Sequence, residues 1–218
     1  VVDDLGQAYV AGGAHSTDFP TTPGAWDPIC DACTIISTDG FAAKLSGDGS
    51  TFIYSTTIGS TGGDEVVRVD VDPEGNAYLI GYSRSTVFPV TAGALQSAYG
   101  GGDMDVVVVK LNADGSDALY STYLGGSGRD RGYDIVIDQG SGIAHITGST
   151  DSADFPTRHP LQGYRGGYDA FLAKLNPEGE RLLFSTWLGG SGDENFVSGG
   201  PVSGGGHGAV ALYDELVY

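Results

Sequence analysis

FAAKLSGDGSTFIYSTTIGS (residues 41–60) returns as VVVVKLNADGSDALYSTYLGGS (106–127) and again as FLAKLNPEGERLLFSTWLGGS (171–191). The three lysines of the chain, Lys44, Lys110 and Lys174, stand at one position of this unit. Self-similarity at a fixed period, here about 65 residues, marks a repeat architecture in which one supersecondary unit packs on copies of itself.

Working outward, the spacing separates what is held from what varies. Lysine to the next marker glycine (Gly59, Gly125, Gly189) is 15 residues in every copy, and the second-strand glycines Gly12, Gly81 and Gly148 stand 7 residues before the Phe-Pro pairs at Phe19, Phe88 and Phe155. Between Phe-Pro and the lysine the distance shrinks from 25 to 22 to 19. A rigid frame therefore carries one variable loop. From Asp3 to Gly12 and from Asp72 to Gly81 is 9 residues, but from Asp138 to Gly148 it is 10.

The frame holds four strand candidates per unit. VVRVDVD (66–72) and YDIVID (133–138) are the first; AYVAG, AYLIG and AHITG the second. FAAKL, VVVVKL and FLAKL form the third, and IYSTTIG, LYSTYLG and LFSTWLG the fourth. β-Branched and aromatic runs between turn signals are strand vocabulary. PEGN (73–76), SGDGS, NADGS and NPEGE suit tight hairpins, where glycine takes the positive φ that other residues resist. Short antiparallel strands in fours, repeated, describe the blades of a β-propeller. A β-sandwich has similar turn spacing but no reason to repeat its sequence three times.

The pattern VDxxGNAYxxGxSxSxxFP followed by DxxxxKLNxDGSxLxYSTYLGGSGxD resembles the bacterial β-propeller repeat family known as SBBP, over roughly residues 1–190. That resemblance implies a propeller scaffold and a secreted or cell-surface bacterial protein. It implies no activity, because propellers host many.

The expected organisation is one all-β repeat domain over 1–218, with blade units near 1–59, 60–125 and 126–190 and a partial one over 191–218. The tail from Phe196 departs from the pattern, with Val202 where an aspartate is expected. That makes about three and a half blades, whereas propellers close with about four to eight. The chain also opens in mid-pattern at Val1 and reads as a piece of something longer. Flanking blades, a second copy or an end-to-end assembly would cover the open faces, so self-association is the expected partnership.

Composition bounds the partners. With 28 acidic residues against 10 Lys and Arg, the net charge is −18, which lacks the basic footprint that nucleic acid requires. No apolar run approaches the ~20 residues of a membrane-spanning helix, so membrane insertion is not expected. Cys30 and Cys33, in CDAC, have no second ligand pair for zinc and read as a disulfide-closed loop fitting an extracellular setting.

Candidate sites follow from the repeat. Asp3, Asp72 and Asp138 are the expected partners of Lys44, Lys110 and Lys174, one structural ion pair per blade. The connectors GSTGGD, GGSGRD and GGSGDE offer Asp64, Asp130 and Asp193, loop aspartates that bind backbone N–H groups or, with glycine carbonyls, calcium. Calcium is the one cofactor the pattern admits. Ser55-Thr56, Ser121-Thr122 and Ser185-Thr186 recur and read as a strand-surface ladder. The four histidines hold unrelated positions, no nucleophile elbow accompanies them, and no catalytic residue is assigned.

In a meander the Phe-Pro loops and Gly-rich connectors share one rim, opposite the hairpins. That rim, with Trp26, Tyr99 and Tyr164, is the expected ligand side. The function expected is a non-catalytic extracellular module for surface structure, adhesion or self-assembly. The alternatives are a fragment of a secreted polysaccharide-active enzyme and a carbohydrate-binding module.

Overall fold

The computed structural model describes residues 1–34 and 37–194. Three antiparallel sheets follow one another along the chain. The first contains β1 (Ala8–Ala14), β2 (Asp39–Leu45) and β3 (Phe52–Ile58). Next come β4 (Asp64–Val71), β5 (Ala77–Ser83), β6 (Asp105–Leu111) and β7 (Ala118–Leu124). The third holds β8 (Asp130–Ile137), β9 (Ala144–Thr150), β10 (Asp169–Leu175) and β11 (Leu182–Leu188). Strand order within each sheet is the chain order, the four-stranded meander of a propeller blade, and no closed ring forms among the described residues. The partial unit from 191 lies almost wholly outside the described residues.

The register repeats with the sequence. Tyr9 faces Lys44, Tyr78 faces Lys110 and His145 faces Lys174 across the second and third strands. Each third strand carries a bulge between its lysine and the following leucine. The first sheet has three strands rather than four, because ahead of β1 only a single bridge, Val2 to Ala8, is formed.

The sheets stack face to face, with β4 against β1 and β2, and β8 against β4, β5 and β6. Two apolar cores result. One joins Tyr9, Ala42, Tyr54 and Ile58 of the first sheet to Val66, Leu79, Val107 and Tyr123 of the second. The other joins Tyr78, Ile80, Val108, Tyr120 and Leu124 of the second to Ile135, Ile146, Phe171 and Trp187 of the third. Alternate residues of the middle sheet thus feed opposite cores, so β5 is buried at all seven positions. Each large side chain so buried contributes about 1.5–3 kcal/mol.

The variable loops correct the expectation of a single rim. Each begins and ends beside a Gly-rich connector, as Ser85 does against Ser60 (2.6 Å between hydroxyl oxygens). Its middle, however, runs down the outer edge of its own fourth strand. Thr22 N donates to Ser55 O (2.9 Å), Thr91 N to Ser121 O (3.0 Å) and Arg158 N to Ser185 O (3.2 Å). The serine hydroxyls donate to the carbonyls of Pro20, Pro89 and Pro156. The Ser-Thr pairs are therefore loop anchors rather than a surface ladder, and they cover edges that would otherwise invite pairing. The phenylalanine of Phe-Pro packs on its blade: Phe88 on Tyr123, Phe155 on Phe171 and Phe19 on Phe41.

Candidate functional site

The blade junction is the most elaborated polar region. Two loops reach across it: Trp26 N donates to Gly115 O (2.9 Å) and Leu95 N to Gly179 O (3.0 Å). Gly115 and Gly179 are hairpin glycines at φ 69° and 73°, and a Cβ on either would collide with the ring of Tyr54 or Tyr120. Near the inner strands, Ile137 N donates to Asp70 Oδ2 (2.7 Å) and Arg68 pairs with Asp134 (3.4 Å).

Two of the three expected lysine pairs form. Lys110 Nζ lies 3.3 Å from Asp72 Oδ2 and 4.5 Å from the centre of the Tyr78 ring. Lys44 Nζ lies 3.9 Å from Asp3 Oδ2 and 4.8 Å from the Tyr9 ring centre. Burial alone would raise the Asp72 carboxyl, but hydrogen bonds from Asn76 and the charge of Lys110 outweigh it and hold it below the usual range. The third pair does not form: Lys174 and Asp138 are absent from the ion pairs among the described residues. The β8–β9 turn is one residue longer, so Asp138 Oδ1 turns to the N–H groups of Gly140 (2.9 Å) and Ser141 (3.1 Å). His145 replaces the tyrosine, and burial followed by the charge of Lys174 lowers its pKa.

Cys30 and Cys33 are disulfide-bonded, 5.4 Å apart at Cα. The rim aromatics mainly pack loops. Tyr99 meets Tyr123 edge-on at 5.9 Å and donates to Gly102 O, while Tyr164 lies 6.4 Å from Trp187 and donates to Gly167 O. Trp26 packs against the first core and lines a cavity of about 340 Å³ with Asp27, Asp31 and Val87. A larger cavity, about 480 Å³, lies at the opposite rim beside the β4–β5 turn, between Asp3, Lys44, Asp72 and Glu74.

The residues that sequence reasoning missed are buried aspartates. Asp39, Asp105 and Asp169 open the three third strands and are fully buried. Each uses Oδ2 to accept a loop N–H: Ala32 (3.2 Å), Gly100 (2.5 Å) and Arg165 (3.1 Å) respectively. Each has an Oδ1 without a hydrogen-bond partner. The connector acids stand beside them, fixed by backbone bonds from Asp64 N to Thr38 O, Asp130 N to Met104 O and Glu194 N to Tyr168 O. The third connector therefore presents Glu194 where Asp193 was expected; Asp193 accepts from Tyr168 N (3.0 Å).

Burial pushes these carboxyls up: Asp39 and Asp130 to about 6, Asp64 and Asp105 to about 7. Asp169 rises as well, from burial and from the Glu194 carboxyl beside it. The marker glycines are explained by the same pairs. A Cβ on Gly125 would lie 2.5 Å from Asp105 Oδ1 and 2.9 Å from Asp130 Oδ2, and one on Gly59 would lie 2.5 Å from Asp39 Oδ1. The fixed spacing of five residues from Asp39, Asp105 and Asp169 to the lysines was the available signal.

No curated protein matches the chain. Two segments, residues 53–89 and 119–156, match the family model of the SBBP beta-propeller repeat. Each matched segment runs from the fourth strand of one sheet through the first two strands of the next to Phe-Pro, and so spans one junction. The stacked meanders and the matched segments agree, and the stretches that span the two junctions, residues 53–89 and 119–156, are SBBP beta-propeller repeats.

Proposed function

We propose that this chain is a non-catalytic extracellular assembly module that associates end to end through its outer blade faces. The observation that carries the reading is the equivalence of those faces to the two halves of each internal junction. On the last sheet, Leu188 is 41% exposed at the position where Leu124 is 1% exposed, and Leu161 is 76% exposed where Leu95 packs into the second core. On the first sheet, Val10 and Phe52 are exposed at the positions of buried Leu79 and Ala118. One face is thus the complement of the other, and a heterologous contact of this kind closes rings or grows filaments. The disulfide supports an oxidising compartment, outside the cell or at its surface.

Sedimentation velocity over a range of concentrations tests the reading. The chain is expected to associate as concentration rises, and Leu188→Glu to shift it toward monomer with the fold intact. A compact monomer at every concentration would overturn it.

Carbohydrate binding is the second reading, favoured by the rim cavity where Trp26 stands beside Asp27 and Asp31. An aromatic face with adjacent carboxylates suits a sugar ring and its hydroxyls. A glycan array comparing the chain with Trp26→Ala tests it, and equal signals from both would remove the reading.

A further inference from the structure

The geometry points to a calcium ion at each of the two internal blade junctions, held by Asp39 with Asp64 at the first and by Asp105 with Asp130 at the second. Each pair brings carboxylates from neighbouring sheets together in a fully buried place. In both pairs each group has one oxygen without a hydrogen-bond partner: Oδ1 of Asp39, Asp64, Asp105 and Asp130. A buried, unpaired carboxylate is among the costliest groups a fold can hold, and two together compound the cost. None of the five ion pairs among the described residues involves these four groups.

Further oxygens surround the pairs. The Ser60 and Ser85 hydroxyls lie against the first junction, and the Ser152 hydroxyl donates to Asp130 Oδ2 at 2.8 Å in the second. Ser83 and Thr150 stand opposite Asp64 and Asp130 in the strand register. An all-oxygen, irregular set with two carboxylates suits Ca²⁺, which accepts six to eight oxygens in flexible geometry. Mg²⁺ demands a near-ideal octahedron and dehydrates reluctantly, so it fits a buried site poorly.

The third pair supplies a contrast. Asp169 and Glu194 also have oxygens without a hydrogen-bond partner, Oδ1 and Oε2, but no described strand follows Glu194 to add hydroxyls as Ser83, Ser85, Thr150 and Ser152 do at the internal junctions. The proposal is therefore confined to the two junctions that have a described sheet on each side. The inference does not rest on end-to-end assembly, because both sites lie inside one chain.

The test is Tb³⁺ luminescence sensitised by neighbouring aromatics, with thermal melts of the chain in EDTA and in CaCl₂. Melts run at high dilution keep the result separate from association. Two Tb³⁺ ions per chain are expected, displaced by CaCl₂ but not by equal MgCl₂. About 10 mM CaCl₂, above the range of extracellular calcium modules, is expected to raise Tm by several degrees. Asp105→Asn should reduce the count to one, and Asp169→Asn should leave it at two. If Asp105→Asn does not fold, Asp39→Asn and the wild-type count carry the test. No Tb³⁺ signal and identical melts with and without CaCl₂ would overturn the proposal, as would a count unchanged by Asp39→Asn and Asp105→Asn.

Discussion

Gly49, Gly115 and Gly179 occupy one position of the repeat and share one backbone conformation, at φ 68°, 69° and 73°. Their surroundings differ completely. Gly49, on the outer side of the first sheet, has nothing within 4 Å of an added Cβ, while Gly115 and Gly179 sit against tyrosine rings of the preceding blade. The same split separates Leu188 from Leu124 and Leu161 from Leu95. Position within the repeat sets the residue type. Whether that residue is buried depends on the presence of the next blade. Comparing an interior position with its outer copy therefore isolates the worth of the junction from that of the turn or strand.

The largest effect is expected from Gly115→Ala set against Gly49→Ala. Both pay the positive-φ cost, about 1 kcal/mol. Only Gly115→Ala also drives a methyl into the Tyr54 ring, and its total should reach about 4 kcal/mol or more, read from urea melts. Equal losses would break the comparison. Next is Leu124→Ala, expected to cost about 2–5 kcal/mol by cavity formation, against less than about 1 kcal/mol for Leu188→Ala in dilute solution. Chemical denaturation of the two variants side by side decides it.

Lys110→Met should cost about 1–3 kcal/mol, because it leaves Asp72 half-satisfied beside Tyr78. Lys174→Met, which breaks no ion pair among the described residues, should stay within about 0.5 kcal/mol. Melts at neutral pH distinguish them.

The pH dependence tests the junction carboxyls together rather than one at a time. A carboxyl whose folded value stands above its unfolded value favours the folded state when protonated. Its contribution is therefore full at acid pH and is lost as pH rises through the folded value. Asp64 and Asp105, raised from 3.8 to about 7, should make the calcium-free chain lose stability from about pH 4 to about pH 7. Asp72, held low, works the other way and withdraws stability only in stronger acid. Melts in EDTA across that window test the sign. Smallest of all is Tyr120→Phe. The buried Tyr120 hydroxyl has no hydrogen-bond partner, and the third blade already uses Phe184 at that position. Its loss should shift stability by less than about 0.5 kcal/mol in either direction.

Much of this frame was legible in the sequence because strand and hairpin signals are local. Alternating β-branched runs, the hairpin glycines and the lysine period place nearly every strand to within a few residues. The path of the Phe-Pro loops was not legible. Their lengths differ, and what fixes them is a hydrogen bond to a strand more than twenty residues away. The aspartates opening the third strands stand in the quoted repeat pattern but received no role, because the strands were read as apolar runs starting at Phe41, Val106 and Phe171. An acid inside a β-strand contradicts propensity, and only its pairing across the junction gives it a reason. The missing Lys174–Asp138 bond was foreshadowed by the tenth residue between Asp138 and Gly148, though a spacing alone does not say which contact gives way.

The loop laid along each fourth strand has a consequence for growth. With the fourth-strand edge of each described sheet already hydrogen-bonded to its own loop, a further copy finds no free backbone to pair with along that edge. Strand addition on that side would first have to strip the loop from its serine and threonine anchors, which guards the fold against sideways β-aggregation there.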